Sequence, residues 1–227
     1  MNTTCRISVV KALTYGLVLA IGSASACVLA GEPTDQLKET TDKILAIVRD
    51  PTLQGADKED ARQKQMREEI DKRFAWSDMA HSAYGLAWNK LTDAQRTEFT
   101  GLFGDLVNKN YMSKVESYSG EKIQYKGDKV DGTYGVVNVV IVTLRNTDIA
   151  VSYRVLKKDT QWLIYDVIIE NISMVNNYRS QFGAILHSSP HDVLVSRIKA
   201  KIAANTPEPT EKKTGTTVDP KKADGAL

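Results

Sequence analysis

The side chains best suited to chemistry in this 227-residue sequence are three histidines, two cysteines and one acid in an apolar setting. His187 and His191 lie four residues apart, the spacing that puts two ligands on one helical face. Pro190 breaks that helix, however, and no third ligand is evident, so a metal centre is not expected. Ser77, Asp78 and His81 are close together, but no Gly-x-Ser-x-Gly elbow accompanies them, so a hydrolase triad is not expected either. No glycine-rich phosphate loop occurs, and no cofactor is expected. The only cysteines, Cys5 and Cys27, exclude both a disulfide-stapled scaffold and a cysteine-based metal site. Asp166 stands between Ile164 and Ile168, where an isolated carboxylate is costly unless paired. It reads as half of an ion pair with Arg154 or Arg179. The alternative is a general base of raised pKa at the wall of a pocket.

Charge narrows the partners. The formal net charge is +2, and Arg6 and Lys11 alone account for it, since the first thirty residues hold no acid. The rest of the chain is balanced, which leaves no electrostatic footprint for nucleic acid and none for strong attraction to an anionic membrane. The tryptophans and tyrosines do not sit among basic clusters, so stacking on single-stranded nucleic acid is not expected.

Residues 1–30 read as an export signal. Arg6 and Lys11 precede an apolar run, Ala12 to Gly22, that is shorter than the roughly 20 residues a permanent span needs. Val28-Leu29-Ala30 suits cleavage near Ala30. A rival reading takes Ala24-Ser25-Ala26-Cys27 as a degraded lipobox with Cys27 lipidated, against which stands the missing leucine three residues before it. Either way the mature protein leaves the cytoplasm. Residues 31–204 form one domain, and 205–227, rich in Pro, Thr and Lys, is expected to be a disordered tail.

Within the domain the hydrophobic period is helical, then strand-like, then helical again. Helices are expected over Pro33 to Arg49, Asp57 to Phe74, Ser77 to Leu86, and from Thr92-Asp93 to about Ser117. Four strands follow: Glu121 to Val130, Thr133 to Arg145, Ile149 to Leu156 and Gln161 to Glu170, joined by short turns such as Asp131-Gly132 into an antiparallel meander. Ser173 caps a helix to about Leu186, and Pro190 opens a last one to about Ala203.

The strands are unusual for a sheet wetted on one side. The second offers Val136, Val140, Val142 and Leu144 on one face and Val137, Val139 and Ile141 on the other. The fourth offers Trp162, Ile164 and Ile168 against Leu163, Tyr165, Val167 and Ile169. Both faces therefore require cover: helices pack on both sides, or the sheet curls around an apolar space.

The run Trp162-Leu163-Ile164-Tyr165-Asp166-Val167-Ile168-Ile169-Glu170-Asn171-Ile172-Ser173, continued by Tyr178-Arg179-Ser180-Gln181-Phe182, strongly resembles the signature of the MlaC family. These are periplasmic phospholipid-binding, toluene-tolerance auxiliary components of ABC transport systems. Asn171 stands where the family has glycine, and asparagine is the next-best residue for a left-handed turn. Phe74-Ala75-Trp76-Ser77-Asp78-Met79-Ala80 and Gly85-Leu86-Ala87-Trp88 resemble the family's helical half.

The resemblance implies an α+β fold, a curved four-stranded antiparallel meander packed against a helical layer with an apolar cavity between them. It implies a periplasmic carrier, not an enzyme, that binds phospholipid acyl chains. Its partners would be an inner-membrane MCE-type ABC transporter complex and an outer-membrane lipoprotein-porin complex, in the maintenance of outer-membrane lipid asymmetry. From the matching segments the lipid-binding lining is expected to be Phe103, Leu106 and Tyr111 on the long helix, Val139, Ile141, Tyr153 and Val155 on the sheet, and Val167, Ile169, Val175, Tyr178 and Phe182 around the signature. A pocket enzyme or a binding protein for another hydrophobic molecule such as a hopanoid, dependent on Asp166, is the alternative.

Overall fold

The structure, a computed structural model, describes residues 31–204. The expected signal, the Ala30 and Cys27 processing sites and the expected tail lie outside the described residues.

Helix α1 (Glu32–Arg49) opens with Pro33 in its first turn and buries Leu37, Thr40 and Val48. The Asp50 carboxylate accepts from the Thr52 N–H at 2.8 Å and stops it. Helix α2 (Glu59–Arg73) is charged almost all round and buries only Met66, which packs with Val48 and Met112 in a small second core. Helix α3 (Trp76–Tyr84) ends at Gly85, whose φ of 75° is left-handed. Helix α4 (Asp93–Glu116) starts from a capping box: Thr92 Oγ1 accepts from the Gln95 N–H while Gln95 Oε1 accepts from the Thr92 N–H.

The sheet comprises β1 (Lys122–Asp131), β2 (Tyr134–Val142), β3 (Asp148–Lys158), β4 (Gln161–Ile169) and β5 (Ile172–Ser173), antiparallel and in chain order. It has one strand more than the sequence predicts. Glu170 and Asn171, at φ 49° and 66°, turn the chain so tightly that Ile172 and Ser173 pair back onto Ile169 and Ile168. Asn171 thus adopts the left-handed conformation its type allows. The second strand is shorter than expected. It stops at Val142 because the Thr143 N–H donates to the Thr147 carbonyl and the Asn146 N–H to the Thr143 carbonyl, closing a turn where Arg145 would have extended the strand. Helices α5 (Met174–Ser188) and α6 (His191–Ala203) complete the domain.

The helices cover one face of the sheet. The main core contains Val137, Val139, Val151, Val155, Ile164 and Val167 from that face, packed against Phe99, Phe103, Leu106, Tyr178 and Phe182 from α4 and α5. None of Val136, Val140, Val142, Leu163 or Ile168 joins it. Those side chains stay half-buried on the outer face, beside the Ser152–Asn138 hydrogen bond of 2.8 Å and the edge-on Tyr134–Tyr165 pair. Helices on both faces are thus not what satisfies the two-sided apolar pattern.

Strict alternation misassigns the fourth strand. The β3–β4 register runs Arg154 against Asp166 and then Val155 against Ile164, so Tyr165 is an extra residue in a β-bulge. The bulge puts Ile164, Val167 and Ile169 on the helix-covered face, and leaves Asp166 facing Arg154 on the other.

Candidate functional site

Across the helix-covered face the strands align a continuous apolar surface. Ile123 lies opposite Ile141 and Tyr125 opposite Val139 on β1–β2. Ile141 lies opposite Ile149, Val139 opposite Val151 and Val137 opposite Tyr153 on β2–β3. Val151 faces Ile169, and Tyr153 faces Val167, on β3–β4. β-branched side chains suit this pleated surface, and it is theirs almost throughout.

Burial is not uniform over it. Val137, Val155 and Ile164 are at most 1% exposed, and beneath them Phe103, Tyr178 and Phe182 meet ring to ring at 5.3–6.2 Å. The Asn110 amide donates to the Tyr178 hydroxyl at 2.8 Å inside this packing. At the other end of the strands, and along β1, the side chains Ile123, Tyr125, Ile141, Ile149 and Ile169 pack against the core yet keep accessible surface, as do Leu102, Tyr111, Ile185 and Leu186 on the helices; Tyr153, opposite the buried Val137, keeps some as well. The inner face is therefore sealed at one end and keeps accessible apolar surface at the other.

The twelve residues expected to line a lipid site divide along this gradient. Phe103, Leu106, Val139, Val155, Val167, Val175, Tyr178 and Phe182 are buried in the main core. Tyr111, Ile141, Tyr153 and Ile169 are partly accessible and pack against it. Ile123, Tyr125 and Ile149 share the same face and accessibility and were absent from the expected set. Their signal was the alternation of Ile123 and Tyr125 in β1 and the place of Ile149 at the start of the strand expected over Ile149 to Leu156.

Two tyrosines bring polarity to this surface. Desolvation pushes the Tyr153 hydroxyl up to about 12, reinforced by the neighbouring Tyr125. Tyr125 is also raised, chiefly by burial, and Thr41 of α1 lies within reach of its hydroxyl.

Asp166 has a structural part. Its Oδ2 accepts from Ser173 Oγ at 2.6 Å and its Oδ1 from the Val175 N–H at 3.1 Å, with Arg154 Nη1 at 3.5 Å. The carboxylate pins β4 to the start of α5. Of the two partners expected for it, Arg154 is the one present. Arg179 instead lies across Gly85, its Nε 3.3 Å from where a Cβ would stand. Outside the sheet, near this corner, a polar groove of about 440 Å³ is lined by Arg154, Ile168, Asn171, Ile172, Ser173, Asn176, Asn177 and Ser180.

The remaining candidates are scattered. The His81 ring packs tilted against Trp88 at 5.3 Å, His191 Nδ1 is 2.9 Å from the Tyr84 hydroxyl, and Asp78 pairs with Lys158 at 2.6 Å. His187 is exposed in the last turn of α5. Ser77, Asp78 and His81 make no hydrogen bonds to one another. Among the described residues no three His, Cys, Asp or Glu side chains gather as a metal site, and no helix is long and apolar enough to cross a membrane.

A five-stranded antiparallel sheet curved over a helical layer, with its apolar face turned toward the helices, defines the class: an α+β protein. The MlaC protein family model matches residues 38–200, and the chain belongs to that family. It is 25% identical over 136 residues to the intermembrane phospholipid transport system binding protein MlaC of Haemophilus influenzae, a match covering 57% of this chain and 61% of that protein. Its fold is similar to that of a phospholipid-binding protein from Ralstonia solanacearum solved in complex with a phospholipid. The two superimpose with a TM-score of 0.68 at 22% identity, over 76% of this chain and 98% of the other.

Proposed function

We propose that this protein is a periplasmic carrier that holds the acyl chains of a phospholipid between the helix-covered face of its sheet and the helices. It passes lipid between an inner-membrane MCE-type ABC transporter complex and an outer-membrane lipoprotein-porin complex. The observation that carries the reading is the burial gradient: a surface built of Ile, Val and Tyr that is core at one end and accessible at the other. The relatives' ligands and roles, as their names state them, point the same way.

The physical need for such a surface is large. Each methylene removed from water is worth about 0.8 kcal/mol, so a sixteen-carbon chain is worth roughly 12 kcal/mol. An exposed patch does not shield that much, whereas a space walled by sheet and helices does. The same magnitude makes unaided escape of lipid from a bilayer slow, which is why the carrier works by docking to membrane complexes. The reading requires no chemical step, and Asp166, held by Ser173 and Val175, is a fastening of the fold.

Native mass spectrometry of protein purified without detergent tests the proposal. It should show a co-purifying diacyl lipid, and delipidated protein should take up phospholipid from vesicles. Absence of both would overturn it.

A further inference from the structure

On β3, Tyr153 faces inward among Val137, Val139, Val151, Val155 and Val167, with Tyr125 a phenolic neighbour on that surface. Its ring packs against the core, but its hydroxyl has no hydrogen-bond partner among the described residues and is not sealed from solvent. The neighbouring tyrosine does not supply that partner. Water serves it in the free protein; once acyl chains displace that water, a hydroxyl left without a partner carries a desolvation penalty that aliphatic neighbours do nothing to relieve. A phenylalanine would fill the same space without that penalty, so the hydroxyl favours a ligand that brings an acceptor to it.

We propose that Tyr153 is a polar subsite of the lipid-binding surface, donating its hydroxyl hydrogen to an ester carbonyl of the bound glycerolipid. This rests on the carrier reading above. An acyl chain offers no acceptor along its methylenes; the ester carbonyls at its head are the acceptors a diacyl phospholipid brings into an apolar environment. A hydrogen bond made there, away from competing water, fixes how far the lipid is drawn in and discriminates ester-linked from ether-linked lipid. The raised ionisation of Tyr153 keeps it a donor throughout the physiological range.

The test compares delipidated protein binding to two phosphatidylcholines of equal chain length, one diester and one diether, presented in vesicles. Wild-type protein should favour the diester about 3- to 10-fold, the range that one net hydrogen bond supports. Tyr153→Phe should lose that preference by weakening the diester alone, with diether binding unchanged. Equal affinity in the wild type, or a preference that survives Tyr153→Phe, overturns the subsite while leaving the carrier intact. Failure of the wild type to bind either lipid overturns both.

Discussion

The Val175 N–H donates to Asp166 Oδ1 at 3.1 Å, and through that bond the bulged strand β4 holds the first turn of α5. Ser173 completes the link from its hydroxyl to the other carboxylate oxygen. Asp166→Ala leaves a buried N–H and a hydroxyl without their acceptor and should cost about 2–4 kcal/mol in equilibrium unfolding. Asp166→Asn keeps an acceptor oxygen at the site. It should lose less stability and retain phospholipid uptake; a folded Asn variant without uptake would assign the carboxylate a direct part in function.

The packed and the open ends of the inner face should separate stability from binding. Phe103→Ala removes a ring from the interlocked end and should destabilise by about 3–5 kcal/mol. Ile141→Ala, at the accessible end, should cost only about 1–2 kcal/mol yet reduce the lipid that co-purifies. Urea unfolding and lipid quantification on both variants check this, and equal stability losses would contradict the gradient.

Tyr153 gives the account a signature in alkali. Its folded-state pKa of about 12 lies above the unfolded tyrosine's value near 10, so the folded state favours the neutral phenol. That contribution is complete below pH 10 and is lost as pH rises through 12, on the order of 2–3 kcal/mol in all. Denaturation midpoints measured from pH 9 to 12.5 should fall more steeply for the wild type than for Tyr153→Phe. Parallel slopes would mean that folding does not disfavour ionisation of the Tyr153 hydroxyl, against the account.

The helical half and the strand order were readable in the sequence because their signals are local: the Thr92 cap, the apolar stripes through Phe99 and Phe103 on α4 and through Tyr178 and Phe182 on α5, and the turn residues Asp131-Gly132. The β4 bulge was not. Ile164, Val167, Ile168 and Ile169 are all apolar, so slipping the alternation by one residue leaves the pattern unchanged, and only pairing against Arg154 and Val155 reveals it. Strand β5 has two residues and no period to detect. The lining divided for a similar reason. Phe182 and Ile169 carry the same hydrophobic signal, and which of them is interlocked is decided by shape across the interface.

The face that carries lipid is the central claim, and adjacent residues test it most directly. Ile141 lies on the helix-covered face and Val140 on the outer one. A photoreactive benzophenone side chain placed at each position in turn, in protein loaded with radiolabelled phospholipid, should cross-link lipid from 141 and not from 140. Labelling from 140 alone, or equally from both, would contradict the account.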